Sequence, residues 1–176
     1  MGSGIKEFHN FMVDGEFAKE LRKAYLAYEI LSEADLQAVA WMLIRDFLGN
    51  HGSPKTLRVL NKPYFKDLRI HPDIAIFRKE KPWVLIELKE GRRLTERSAH
   101  REWRRLILAK RHMQARKGYL VYVARWGDKK TLRGPKGKGA KFFFEVPIIL
   151  RSVMTKTEVT EWEKEFKSRA KYILQR

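Results

Sequence analysis

Cysteine is absent from the 176 residues, which removes disulfides, thiol nucleophiles and thiolate zinc sites together. Long hydrophobic runs are missing too. The most apolar stretches, Ala38–Ile44 and Phe142–Leu150, fall far short of the roughly 18 residues that cross a bilayer. No targeting leader is visible, because Lys6, Glu7 and Asp14 interrupt the N-terminal apolar residues. Gly2-Ser3-Gly4 looks like a vector remnant and is set aside. A soluble, cytoplasmic protein with no membrane partner is the expectation. Acidic charge is also scarce: 21 Asp and Glu face 38 Lys and Arg, a formal net charge of +17. A surface this positive favours a polyanion, either nucleic acid or an anionic membrane, and nucleic acid is the reading taken here.

What is present suits a folded domain. Hydrophobic residues make up 44% of the chain, with ten Phe, five Trp and six Tyr, enough for one packed core. The length suits a single domain, and neither an internal repeat nor a dividing linker is visible. Residues 16–30 set Phe17, Leu21, Ala24 and Tyr28 at helical spacing. A second helix starts at Ser32, a good N-cap, with Glu33 and Asp35 in its first turn. Its apolar stripe is Leu36, Val39, Ala40, Leu43 and Phe47. Gly49-Asn50-His51-Gly52-Ser53-Pro54 ends it. The period then becomes strand-like, over Thr56–Leu60, over Ile70 with Asp73–Phe77, and over Trp83–Lys89, with Lys79-Glu80-Lys81-Pro82 turning between the last two. A basic helix follows from Glu96 to about Arg116, with Leu106, Ala109 and Met113 on one side. Then come a buried strand over Tyr119–Arg125, a Gly- and Lys-rich loop over 127–141, a strand over Phe142–Leu150 and an amphipathic helix over Glu158–Leu174.

The segment Trp83-Val84-Leu85-Ile86-Glu87-Leu88-Lys89 is apolar at five of its first six positions, yet it ends on an acid and a base. Side chains two apart on a strand share a face, so Glu87 and Lys89 point the same way. Burying either charge alone would cost several kcal/mol. The neighbouring strand opens on His71-Pro72-Asp73 and runs Ile74-Ala75-Ile76-Phe77. A short turn makes the two strands an antiparallel hairpin, which sets Asp73 and Glu87 at the same end. Two carboxylates converging there repel each other unless a cation lies between them. Hard oxygen ligands with open positions suit Mg²⁺, or Mn²⁺ in its place. Lys89 would lie beside an attacking water or a scissile phosphate. The bland alternatives are an Asp capping a turn and an exposed Glu–Lys pair contributing under ~1 kcal/mol.

This arrangement of helix, strand, hairpin, helix and strand, with Pro72-Asp73 and Glu87-Leu88-Lys89 on the hairpin, resembles the PD-(D/E)xK nuclease superfamily. The resemblance covers roughly residues 30–125. It implies an α/β fold with a restriction-endonuclease-like core, a central mixed sheet flanked by helices. It further implies a Mg²⁺-dependent endonuclease that hydrolyses DNA with metal-activated water and leaves 5′-phosphate and 3′-hydroxyl ends. By the same resemblance Asp73, Glu87 and the Leu88 carbonyl bind metal and Lys89 is catalytic. Many members add an acid from the preceding helix. Glu33 is the choice here, ahead of Asp35 and Glu29, although a first-turn Glu also complements the helix dipole.

The basic segments are read as contacts to the DNA backbone: Arg97, Arg101, Arg104 and Arg105 on the helix, and Lys129, Lys130, Arg133, Lys136 and Lys138 in the loop. That loop is not a P-loop, for it has no Gly-Lys-Ser/Thr ending. Of the five histidines only His71, beside Pro72-Asp73, has a claim on the site. A structure-selective enzyme of the Holliday-junction-resolvase kind, acting as a homodimer, is the nearer alternative. A nucleic-acid-binding module without catalysis is the farther one.

Overall fold

Ser32 starts the helix that carries the first candidate acid, and its cap is complete. In the computed structural model, which describes residues 3–51, 57–66, 69–89, 96–124, 142–149 and 154–173, Ser32 Oγ accepts the Asp35 N–H at 3.2 Å and Asp35 Oδ2 accepts the Ser32 N–H at 2.9 Å. Such a reciprocal capping box satisfies two orphan donors of the first turn. Helix α3 then runs Glu33–Asn50, preceded by α1 (Ser3–Val13) and α2 (Glu16–Leu26).

Two of these bounds differ from the sequence expectation. Ser3 and Gly4, set aside above, lie in the first turn of α1, which buries Phe8 and Met12. Helix α2 stops at Leu26 and not at Ile30. Tyr28 takes a left-handed backbone (φ 60°), and tertiary contacts repay that strain. Its ring stacks on Trp162 at 5.9 Å, and the Arg169 guanidinium lies 4.4 Å from its centre.

Five strands form one mixed sheet in the order β1 (Leu57–Asn61), β2 (Ile74–Arg78), β3 (Lys81–Lys89), β4 (Lys117–Ala124) and β5 (Phe143–Ile149). The first three are antiparallel; β3, β4 and β5 are parallel. The β2–β3 turn is tighter than expected, with only Lys79 and Glu80 in it, because Lys81 and Pro82 pair with Arg78 and Phe77. Pro82 has no N–H to give a ladder, and the register shifts beside it, leaving Trp83 as an extra residue on β3. Helix α4 (Glu96–Met113) makes the crossover from β3 to β4. It ends short of Arg116 because Gln114 turns left-handed (φ 57°), after which the Arg116 N–H donates to the Trp83 carbonyl at 2.9 Å and Lys117 begins β4.

Strand β3 is buried on both faces, as its apolar run predicts. Ile74, Ile76, Val84, Ile86 and Leu88 meet α1, α2, α3 and α5 (Lys156–Ile173) on one side. Ala75, Leu85, Leu120 and Tyr122 meet Trp103, Leu106 and Ala109 of α4 on the other. Each such buried aliphatic side chain contributes about 1.5–3 kcal/mol. Gly118 is required where the sheet faces α4, since a Cβ there would come within 2.6 Å of the Phe143 ring. Helix α5 also starts on a reciprocal cap, Thr155 with Glu158. Among the described residues no helix is long and apolar enough to cross a membrane.

Candidate active site

The antiparallel and parallel halves of the sheet meet at β3, and the site lies at the carboxyl end of that strand. Ile74 pairs with Ile86, so Asp73 and Glu87 each stand one residue beyond the last rung of the hairpin. The Leu88 N–H, pointing to the β2 edge where no further rung exists, donates instead to Asp73 Oδ2 at 2.8 Å. The side chain of Asp73 thus replaces a backbone partner and is locked by doing so. Its own carbonyl is held by two donors, Gln37 Nε2 at 2.9 Å and the Lys62 N–H at 2.8 Å.

Lys89 is the hub. Its Nζ lies 2.8 Å from Glu87 Oε1, 3.7 Å from Glu33 Oε1 and 3.9 Å from Asp73 Oδ2. Three carboxylates from α3, the start of β2 and the end of β3 therefore share one ammonium. Asp73 and Glu87 are each only 7% exposed, which rules out the reading of an exposed strand-end pair. Burial pushes the Glu87 carboxyl up to about 7, helped by the charge of Asp73 and opposed by Lys89. Burial also raises Asp73, with the charge of Glu33 adding to it, against the pull of the Leu88 N–H, Lys89 and Lys62. Burial works against the Lys89 ammonium, but Glu87, Asp73 and Glu33 outweigh it and hold the group above its ordinary value. Among the described residues no three acidic or histidine side chains form a ready ligand set; the Lys89 ammonium lies among the carboxylates.

Of the three acids considered, Glu33 is the one that reaches Lys89, while Glu29 lies beyond the end of α2. Asp35 is spent on the cap, where it also accepts the Ser32 hydroxyl and the Leu31 N–H. His71 lies at the surface, stacked on Tyr64 with ring centres 4.4 Å apart. Arg101, Arg104 and Arg105 are exposed on α4, but two of them face an acid. Arg105 Nη1 lies 3.1 Å from Glu102 Oε2, and Arg101 Nε lies 3.8 Å from Glu102 Oε1. The side chain of Arg97, and Lys129, Lys130, Arg133, Lys136 and Lys138, lie outside the described residues.

Two polar residues of this region were not foreseen. Gln37 is 5% exposed and anchors Asp73; it lies one turn after Glu33 and so shares its helix face. Glu102, also 5% exposed, lies close enough for its charge to contribute to the rise at Glu87. Its signal was present, since 102, 106, 109 and 113 continue one helical stripe back from Met113. Compared with protein families, curated proteins and solved structures, the chain finds no match.

Proposed function

We propose that this chain is a divalent-metal-dependent endonuclease of DNA, with a restriction-endonuclease-like core and with Asp73, Glu87 and Lys89 as its hydrolytic centre. The observation that carries the reading is the shared ammonium: three carboxylates from three separate elements against one lysine, two of the acids buried. A centre that lacks positive charge at the carboxyl ends of parallel strands suits a cationic ligand, and such ends are where open α/β sheets bind ligands.

The donor set fits Mg²⁺ or Mn²⁺. Asp73 and Glu87 supply hard carboxylate oxygens, and the fixed orientation of Asp73 reduces what must be ordered on binding. The Leu88 carbonyl shares the edge to which its N–H points, since the N–H and C=O of a strand residue face the same neighbour. One or two carboxylates with several waters are what Mg²⁺ usually takes. Asp73, Glu87 and the Leu88 carbonyl would hold the ion, with Glu33 as an outer acid. When bound, the ion lowers the pKa of a coordinated water and offsets charge on the phosphate.

The residues of the chain do the rest. Lys89, held by Glu87 at 2.8 Å, would direct its ammonium to a phosphate oxygen or to the attacking water. Gln37 and Lys62 keep Asp73 in place through its backbone. The exposed arginines of α4 add phosphate affinity that carries no base preference. The test is cleavage of supercoiled plasmid. Mg²⁺ or Mn²⁺ should support nicking or linearisation and EDTA should stop it, while Ca²⁺ should support binding with little cutting. Cleavage that persists undiminished in EDTA would overturn the reading.

A further inference from the structure

The connection between β1 and β2, residues 62–73, leaves the sheet at the same end as Glu87 and Lys89, and it carries two rings that the centre does not use. Its described residues are tied down at both ends. The Lys62 N–H donates to the Asp73 carbonyl at 2.8 Å and the Phe65 N–H to the Ile70 carbonyl at 3.1 Å. Phe65 and Ile70 form an antiparallel bridge, which sets Tyr64 and His71 opposite each other one position outward. Ile70 is buried, and Phe65 packs beside it with its ring 6.0 Å from Phe77. By alternation Tyr64 and His71 take the other face. They stack there with ring centres 4.4 Å apart and planes 20° from parallel, and Tyr64 is 55% exposed. Lys62, Lys66 and Arg69 are exposed on the same segment.

We propose that the Tyr64–His71 stack, on the connection that leads into Asp73, is a platform for an unpaired base of single-stranded DNA. This rests on the nuclease reading and narrows its substrate class. In an intact duplex each base face is covered by its neighbours, so an exposed ring can be capped only by a base that has left the stack. Single-stranded tails, flaps and gaps present such bases, and aromatic platforms flanked by cations are how proteins hold them. Lys62, Lys66 and Arg69 take the phosphates on either side of that base. His71 is two residues before Asp73 in the chain, so the stacked base and the proposed centre are tied to one segment.

Binding in EDTA tests this with hydrolysis switched off. Fluorescence anisotropy would compare a labelled single strand with the same sequence as blunt duplex, for the wild type, Tyr64→Leu and Tyr64→Trp. Loss of one base–aromatic stack weakens single-strand binding by about 10-fold. Tyr64→Leu is therefore expected to lose about that much on the single strand and less than about twofold on the duplex, while Tyr64→Trp retains it. A 2-aminopurine in the strand should be quenched by the wild type and not by Tyr64→Leu. Equal weakening on both substrates, or unchanged single-strand affinity in Tyr64→Leu, overturns the platform. Plasmid cleavage with no selective loss in Tyr64→Leu removes the platform alone. Selective loss without any cleavage leaves the platform standing and removes the nuclease reading.

Discussion

The buried acids at this end of the sheet are Glu102 on one hand and Asp73 and Glu87 on the other, and they are balanced differently. Glu102 faces two guanidinium groups, from Arg105 and Arg101. Asp73, Glu87 and Glu33 share the ammonium of Lys89, with Lys62 adding its charge at Asp73. A fold that needed only stability would have no reason for the second arrangement, because uncompensated carboxylates in a buried place repel one another and cost free energy. The pairing at Glu102 resembles ordinary structural ion pairing, whereas the excess of carboxylates around Lys89 is the arrangement on which the proposed metal-dependent centre rests.

The difference between the two groups of acids should appear most sharply in activity. Asp73→Asn or Glu87→Gln should lower plasmid cleavage by at least about 100-fold, because each removes a charged ligand while keeping the shape. Both variants should melt at the same temperature as the wild type or higher at neutral pH, since each relieves repulsion at the site. Cleavage within a few-fold of wild type in either variant would remove the acids from the centre. A large drop in melting temperature would show instead that they are structural.

A second effect lies in pH. Glu87 is held up to about 7, chiefly by burial, with Asp73 and Glu102 adding and Lys89 opposing. Its folded form therefore binds more protons than the unfolded chain above about 4.5, the ordinary value. The stability it contributes is fully present below that value and is lost as pH rises to about 7. Denaturant melts in EDTA should show wild-type stability falling across that window by up to about 3 kcal/mol, with a flatter profile for Glu87→Gln. Identical profiles would mean that Glu87 titrates normally.

Glu102→Gln should behave in the opposite way to the site acids. It weakens the contacts to Arg105 and Arg101, so stability should fall by about 1 kcal/mol, while cleavage at saturating DNA stays within about threefold. Freed arginines would also bind DNA no worse than before. The smallest effect belongs to the hairpin turn that brings Asp73 and Glu87 together. Lys79 holds φ at 53°, a conformation glycine adopts without cost, so Lys79→Gly should be neutral or raise stability by less than about 1 kcal/mol. Thermal melts of the two variants read both effects.

Much of the site was legible before the fold, because its signals are local. Glu87 and Lys89 are two apart on a strand, Asp73 opens the neighbouring strand, and Ser32 marks where Glu33 must lie. What could not be read depends on distant contacts. Helix α1 is amphipathic through Phe8 and Met12, but only packing against Trp83 and Tyr119 makes it more than an N-terminal segment. The break at Tyr28 is held by Trp162 and Arg169, far along the chain. The parallel pairing of β5 with β4 has no local signature. Gln37 and Glu102 were passed over because polar residues on an apolar stripe look like interruptions. Here they are the groups that hold Asp73 and engage Arg105.

The most direct test of a centre short of positive charge is whether it takes up a divalent cation through the named acids. Mn²⁺ binding followed by electron paramagnetic resonance, in the presence of a non-hydrolysable DNA analogue, reads this without relying on turnover. Loss of the free-ion signal is expected for the wild type and for Glu102→Gln, and little or none for Asp73→Asn combined with Glu87→Gln. Equal Mn²⁺ uptake by the double variant, or none by the wild type, would contradict the account.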